Sequence, residues 1–136
     1  MSTVVVYWSG TGNTEAMAEA VAAAAGVSAT AVADISAADA LNADTLLLGC
    51  PAMGDEALEE DEMEPFFTEL EAGLSGKNVG LFGSYDWGDG DWMKTWEGRV
   101  TAAGGKLIKE GIIANLEPDD DAIAACKALG EAAAAL

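Results

Sequence analysis

Residues 9–14, Ser-Gly-Thr-Gly-Asn-Thr, carry the donors of an anion site. Ser9, Thr11 and Thr14 bring hydroxyls and Asn13 an amide; Gly10 and Gly12 let the backbone come close to a bound group. The apolar run Val4-Val5-Val6 precedes this loop, and an amphipathic stretch from about Glu15 follows it. A strand therefore runs into a loop and then into a helix, whose first N–H groups and partial positive charge favour an anion. No Lys or Arg stands in or beside the loop, so a phosphate monoester would be held by neutral donors. The loop is neither Gly-x-x-x-x-Gly-Lys-Ser/Thr nor Gly-x-Gly-x-x-Gly, which sets aside the nucleotide-hydrolase loop and the dinucleotide fingerprint. The plain alternative is a polar strand-to-helix turn with Thr14 as its cap.

Other chemistry is sparse. The chain has no histidine, which removes the commonest general base, the Ser and Cys triads and the commonest metal ligand. Cys50 and Cys126 lie far apart, outside any Cys-x-x-Cys pattern; Cys50 ends an apolar run and is expected to be a small buried hydrophobe. No catalytic residue and no metal site is expected.

The elements that must position the loop alternate along the 136 residues, which fit one domain over 1–136. The patterns predict strands at 3–8, 28–35, 44–50, 78–84 and 106–114, and helices at 14–25, 37–42, 63–74, 91–103 and 119–135. Continuous apolar strands separated by helices predict a parallel sheet covered on both faces. Such a sheet binds ligands beyond the carboxyl ends of its strands. Two further loops follow the third and fourth strands and share that edge: residues 49–56, Gly-Cys-Pro-Ala-Met-Gly-Asp-Glu, and residues 83–92, Gly-Ser-Tyr-Asp-Trp-Gly-Asp-Gly-Asp-Trp. An anion site flanked by an exposed Met and an exposed Trp describes a slot for a flat, phosphorylated aromatic ligand. Trp8 is expected to pack rather than touch the ligand, Trp92 and Trp96 to be core, and 59–64 to be a solvated acidic face or a docking rim.

Formal net charge is −18 and 51% of residues are hydrophobic, so a core is available while nucleic acid and anionic membranes are repelled. Basic patches on partner proteins are favoured instead. The N-terminus shows no signal-peptide pattern and no apolar run approaches membrane-spanning length, so a cytoplasmic protein is expected.

In three motifs the chain resembles flavodoxin, of the short-chain type found in anaerobic bacteria: Ser9 to Thr14, Pro51 to Glu56 and Gly83 to Gly90. The resemblance runs from about Val4 to Ala133. It implies a doubly wound five-stranded parallel sheet in the order 2-1-3-4-5 with helices on both faces, binding one flavin mononucleotide (FMN) non-covalently. Ser9, Gly10, Thr11, Gly12, Asn13 and Thr14 would hold the phosphate. Met53, with Pro51 and Ala52 before it, would pack on the inner face of the ring, and Trp87 would stack on the outer face. The Gly54-Asp55 peptide would face flavin N5, and Glu56 the pyrimidine edge. Ser84, Tyr85, Asp86 and Gly88 would line the ring edge, with Asn115 near the pocket. Members shuttle electrons at low potential, and a monomer is implied. The family usually has Gly where this chain has Asp86, a position at which Asp adopts left-handed backbone less freely.

Oxidised flavin N5 only accepts hydrogen bonds, whereas the neutral semiquinone carries N5–H. A carbonyl that swings toward N5 stabilises that state, and Gly54 permits the swing. Nearby carboxylates, with Asp55, Glu56, Glu59, Asp86 and Asp89 as candidates, disfavour the anionic hydroquinone. One at ~8 Å through a dielectric of ~40 costs on the order of 1 kcal/mol. The resemblance also implies no substrate of its own. An FMN-dependent quinone or nitro reductase using a nicotinamide cofactor would need an open ring face, and a signalling module on the same fold would need an acidic pocket with a phosphoacceptor Asp and a Lys after the last strand.

Overall fold

The computed structural model describes residues 2–54 and 56–136. β1 (Thr3–Tyr7) leads through the anion loop into α1 (Asn13–Ala25), which stops at Gly26 with φ 77°. β2 (Ala29–Ala31) follows, then a 3-10 turn (Val32–Asp34) and the short α2 (Ala37–Ala40), capped by the Ser36 hydroxyl accepting from Asp39 N–H. β3 (Thr45–Gly49), α3 (Met63–Glu71), β4 (Asn78–Tyr85) and α4 (Asp91–Ala102) come next. β5 (Lys106–Leu107), β6 (Ile112–Asn115) and α5 (Asp120–Ala134) complete the chain. The sheet is parallel, ordered β2-β1-β3-β4-β5, with β6 also paired to β4.

Strand periodicity splits the core into two layers. Val4, Val6, Leu46, Leu48, Val79 and Leu81 face α3 and α4, where Phe67, Leu70, Trp92 and Trp96 pack. Val5, Leu47 and Phe82 face α1 and α5, against Met17, Val21, Cys126 and Leu129. β3 is buried along its whole length, which is why its sequence is an unbroken apolar run. Each buried Leu there contributes roughly 1.5–3 kcal/mol. The alanine-rich α1 and α5 touch closely: a side chain at Gly130 would collide with the Val21 carbonyl.

The sequence pattern errs in two strands. The expected strand 28–35 is ladder only at Ala29–Ala31, because residues 32–34 curl into the 3-10 turn and bury Val32. The expected strand 106–114 is interrupted. Lys106 and Leu107 pair with Asn78 and Val79, and pairing resumes at Ile112 with Phe82. Residues 108–111 thus stand opposite only Gly80 and Leu81, a bulge with two extra residues. Gly111 anchors it: its N–H reaches Glu97 Oε2 at 2.7 Å, and Met93 lies where a side chain would stand.

Candidate functional site

Glycines shape the carboxyl edge of the sheet. A side chain at Gly49 would strike the Phe82 ring, and one at Gly83 the Cys50 carbonyl. Their absence lets β3 and β4 close up, so that Trp92 Nε1–H reaches the same carbonyl at 3.1 Å. Burial pushes the Cys50 thiol up to about 12, although a Glu59 N–H donates to the sulfur; Cys50 is a neutral packed thiol. From there the chain turns out at Pro51 and closes a small loop, with Met53 N–H on Ala57 O at 3.0 Å and Glu56 N–H on Met53 O at 2.8 Å.

The anion loop is wound around Ser9. Its oxygen accepts from Gly12 N–H at 3.1 Å and Glu15 N–H at 3.2 Å, leaving its own hydrogen free for an anion. Thr11 Oγ1 accepts from Asn13 N–H. The N-cap of α1 is Gly12, at φ 95°, with no side-chain bond, so Thr14 is not the cap. Thr14 lies buried, and its hydroxyl meets that of Ser84 at 3.1 Å while accepting from Ser84 N–H at 3.3 Å.

These loops enclose a crevice of about 210 Å³. Of the expected residues, Gly10, Thr11 and Asn13 line it from the first loop, Pro51, Ala52 and Met53 from the second, and Ser84, Tyr85 and Asp86 from the third. The donor set and the apolar walls fit a phosphorylated aromatic group. A larger groove, about 360 Å³ between β6 and the start of α5, carries Glu117, Asp119 and Asp121 and has no aromatic wall, so it does not suit such a ligand.

The other expected residues stand around the crevice. Ser9, Gly12 and Thr14 support the anion loop from outside the lining. Gly54 is exposed, and Asp55 lies outside the described residues. Trp87 is 65% exposed and Gly88 has φ 99°. Asn115 Nδ2 donates to Tyr85 O and Asp86 O, both at 3.2 Å, and so props the third loop. Asp86 is exposed on the crevice wall, and the non-glycine residues at positive φ among the described residues are Glu56 and Leu116 instead.

Glu56 is not among the residues that line the crevice. Its Oε2 accepts from Asp91 N–H at 2.7 Å, at the start of α4, and a side chain at Gly88 would collide with its carboxylate. Glu59 is no part of a solvated face. It is 5% exposed, and its carboxylate accepts from Asp61, Glu62 and Met63 N–H at 2.8, 2.8 and 2.9 Å, satisfying the entry to α3. Glu64 and Glu71 are also committed, to Arg99 at 2.7 and 3.0 Å.

Two lining residues escaped sequence reasoning. Trp8 forms a wall of the crevice as well as packing on the core, and its Nε1–H donates to Glu62 at 3.1 Å. Its place directly before the anion loop was the available signal. Leu116, at φ 60°, lines the crevice and donates its N–H to Tyr85 O at 2.7 Å. Nothing in its sequence context marks that role.

A doubly wound sheet with a cation-free anion loop after β1 and an apolar crevice at the strand ends defines a mononucleotide-binding α/β protein. The family model for flavodoxin matches residues 5–129, and the chain belongs to that family. A flavodoxin of Megasphaera elsdenii is 50% identical over 96% of both chains. One of Clostridium beijerinckii is 49% identical over 85% of this chain and 88% of its own. The solution structure of two-electron reduced Megasphaera elsdenii flavodoxin superposes with a TM-score of 0.83 at 49% identity, over 98% of this chain and 99% of that one. An archaeal flavodoxin structure gives 0.88 at 27% identity, covering 99% and 97%. Flavodoxins bind FMN and transfer electrons to partner proteins; they are carriers rather than enzymes.

Proposed function

We propose that this chain is a low-potential one-electron carrier that holds FMN non-covalently and works through a neutral semiquinone. The observation that carries this reading is the crevice itself: Gly10, Thr11 and Asn13 meet Met53 and Tyr85 around one space without a Lys or Arg among them. FMN supplies the reversible electron chemistry; the protein supplies orientation and electrostatics.

In this reading residues 9–14 hold the phosphate, with the free hydrogen of Ser9 among the donors. Pro51, Ala52 and Met53 form the inner wall. Trp87, exposed at the rim, covers the outer ring face. Ser84 to Gly88 frame the ring edge, Asn115 braces that frame, and Glu56 contacts the pyrimidine edge. Gly54 and Asp55 supply the peptide at N5. A side chain at Gly54 would meet nothing within 4 Å, so its use is backbone rotation rather than space.

The net charge of −18 supports docking to basic patches on partner redox proteins, around a rim where Met53, Trp87 and Leu116 are exposed. A single domain over 1–136, monomeric and cytoplasmic, completes the proposal. No helix among the described residues is long and apolar enough to cross a membrane.

An anaerobic reductive titration tests the proposal. A yellow protein that passes through a blue species to a pale form supports it. Direct two-electron reduction by NADH or NADPH, with steady turnover and no blue species, moves the assignment to a quinone or nitro reductase.

A further inference from the structure

The groove of about 360 Å³ between β6 and the start of α5 lies beside the crevice rather than within it. Its floor is apolar, with Ile112, Ile113 and Ala122; Glu117, Asp119 and Asp121 stand around it, and no Lys or Arg lines it. We propose that this groove docks a lysine or arginine side chain from the basic patch of a partner redox protein. The proposal rests on the carrier function above and gives its partner a place to bind.

Charge and shape select that occupant. Glu117 and Asp121 are exposed, and Asp119 has spent only Oδ1, on the Ala122 N–H at 2.8 Å. The ion pairs among the described residues, Arg99 with Glu64 and Glu71, are made elsewhere. The groove thus holds three carboxylates with no cation of its own. The N-terminus of α5 opposes a cation with roughly half a positive charge, which three carboxylates outweigh. A long basic side chain matches both parts of the groove: its methylene stem covers Ile112, Ile113 and Ala122, and its charged head stays among the carboxylates. A bare metal ion would gain nothing from the apolar floor, and no group of three acidic or sulfur side chains among the described residues is placed to hold one.

The groove also adjoins the flavin rim. Asn115 lines it, and the same side chain donates to Tyr85 O and Asp86 O on the crevice wall. Leu116, the next residue, lines the crevice, and Glu117 returns to the groove. Residues 115–117 are therefore a ridge with the crevice on one side and the groove on the other. A basic side chain held in the groove sets its protein against the rim where Met53 and Trp87 are exposed.

Two measurements test the proposal. The first reads no redox chemistry: amide NMR spectra are recorded as tetralysine is added to the protein at low ionic strength. Resonances of residues 112–125 should shift first and return in high salt. Shifts spread evenly over the acidic surface overturn the proposal. Shifts of 112–125 on raising the protein concentration alone give the groove to a second copy, and overturn it too. The second is reduction of a lysine-rich ferric cytochrome by the reduced, FMN-loaded protein, in which the flavin loses one electron and the haem iron gains it. Glu117→Gln with Asp121→Asn should slow this step about fivefold at low ionic strength. Glu69→Gln with Asp39→Asn removes the same charge from exposed positions on α3 and α2, and should slow it less than about twofold. Equal slowing by the two pairs would reduce the effect to net charge and overturn the proposal. A wild type that binds no FMN would count against the carrier function instead, and the tetralysine titration would still judge the groove.

Discussion

Thr14 and Ser84, seventy positions apart, share a buried hydroxyl–hydroxyl bond of 3.1 Å. It joins the anion loop to the end of β4, and so joins the two halves of the crevice. Thr14→Val keeps the shape but strands both the Ser84 hydroxyl and its N–H. Ser84→Ala leaves Thr14 still accepting from that N–H. Thr14→Val should therefore cost about 1–3 kcal/mol and Ser84→Ala less. Urea denaturation of the FMN-free variants checks the order.

Glu59 ties three N–H groups at the entry to α3. Its removal also lowers a net charge of −18, which by itself would stabilise the fold. The local bonds should win: Glu59→Ala is expected to lose about 2–3 kcal/mol, and Glu59→Gln roughly half of that. Stabilisation by either variant in urea would show that general repulsion dominates.

The Arg99 hydrogen bonds hold the Glu64 carboxyl below its usual range; Thr68 assists and burial opposes. A carboxyl lowered by folding adds stability that is complete above its unfolded pKa of about 4.3 and is lost as pH falls through the folded value. The side chains are partly exposed, so the contribution should stay under about 1 kcal/mol. Arg99→Met should thus destabilise more at pH 6 than at pH 3. Denaturation at both pH values gives the difference.

Asp86 stands on the crevice wall and is exposed. A carboxylate ~8 Å from the ring in a water-like dielectric of ~80 disfavours an added negative charge by on the order of 0.5 kcal/mol, or roughly 20 mV per electron. Asp86→Asn should raise the potential of the last reduction step by about that much. The gain should shrink in high salt. An unchanged or lower potential in spectroelectrochemical titration would refute the charge argument.

Trp87 is 65% exposed and stands free to cover a bound ring. Aromatic stacking of ~1 kcal/mol beyond area burial corresponds to about fivefold in affinity. Trp87→Ala should weaken FMN by at least that factor while leaving the FMN-free protein's stability unchanged. Fluorescence titration and thermal melts read the two quantities separately.

The parallel sheet and the three crevice loops were legible because buried parallel strands are unbroken apolar runs and the loops between them carry Gly, Ser, Thr and Asn, whereas the strand order came only with the resemblance to flavodoxin. What stayed hidden depended on contacts remote in sequence. Glu59 looks like its neighbours in an acidic run, and only the turn of chain into α3 makes it a buried acceptor. The break at 108–111 follows from Glu97 and Met93 on α4, although Lys109-Glu110-Gly111 within an apolar run was a local hint. Trp8 serves core and crevice together, which a periodicity cannot separate.

The interrupted last strand bears on how copies of this protein meet one another. One margin of the sheet is β2, three residues long; the other is split into pieces of two and four. An incoming strand needs a long, flat row of free N–H and C=O groups to add itself to a sheet. Neither margin offers one, so a crowded solution of this protein should resist edge-to-edge fibril growth even where salt screens its negative charge.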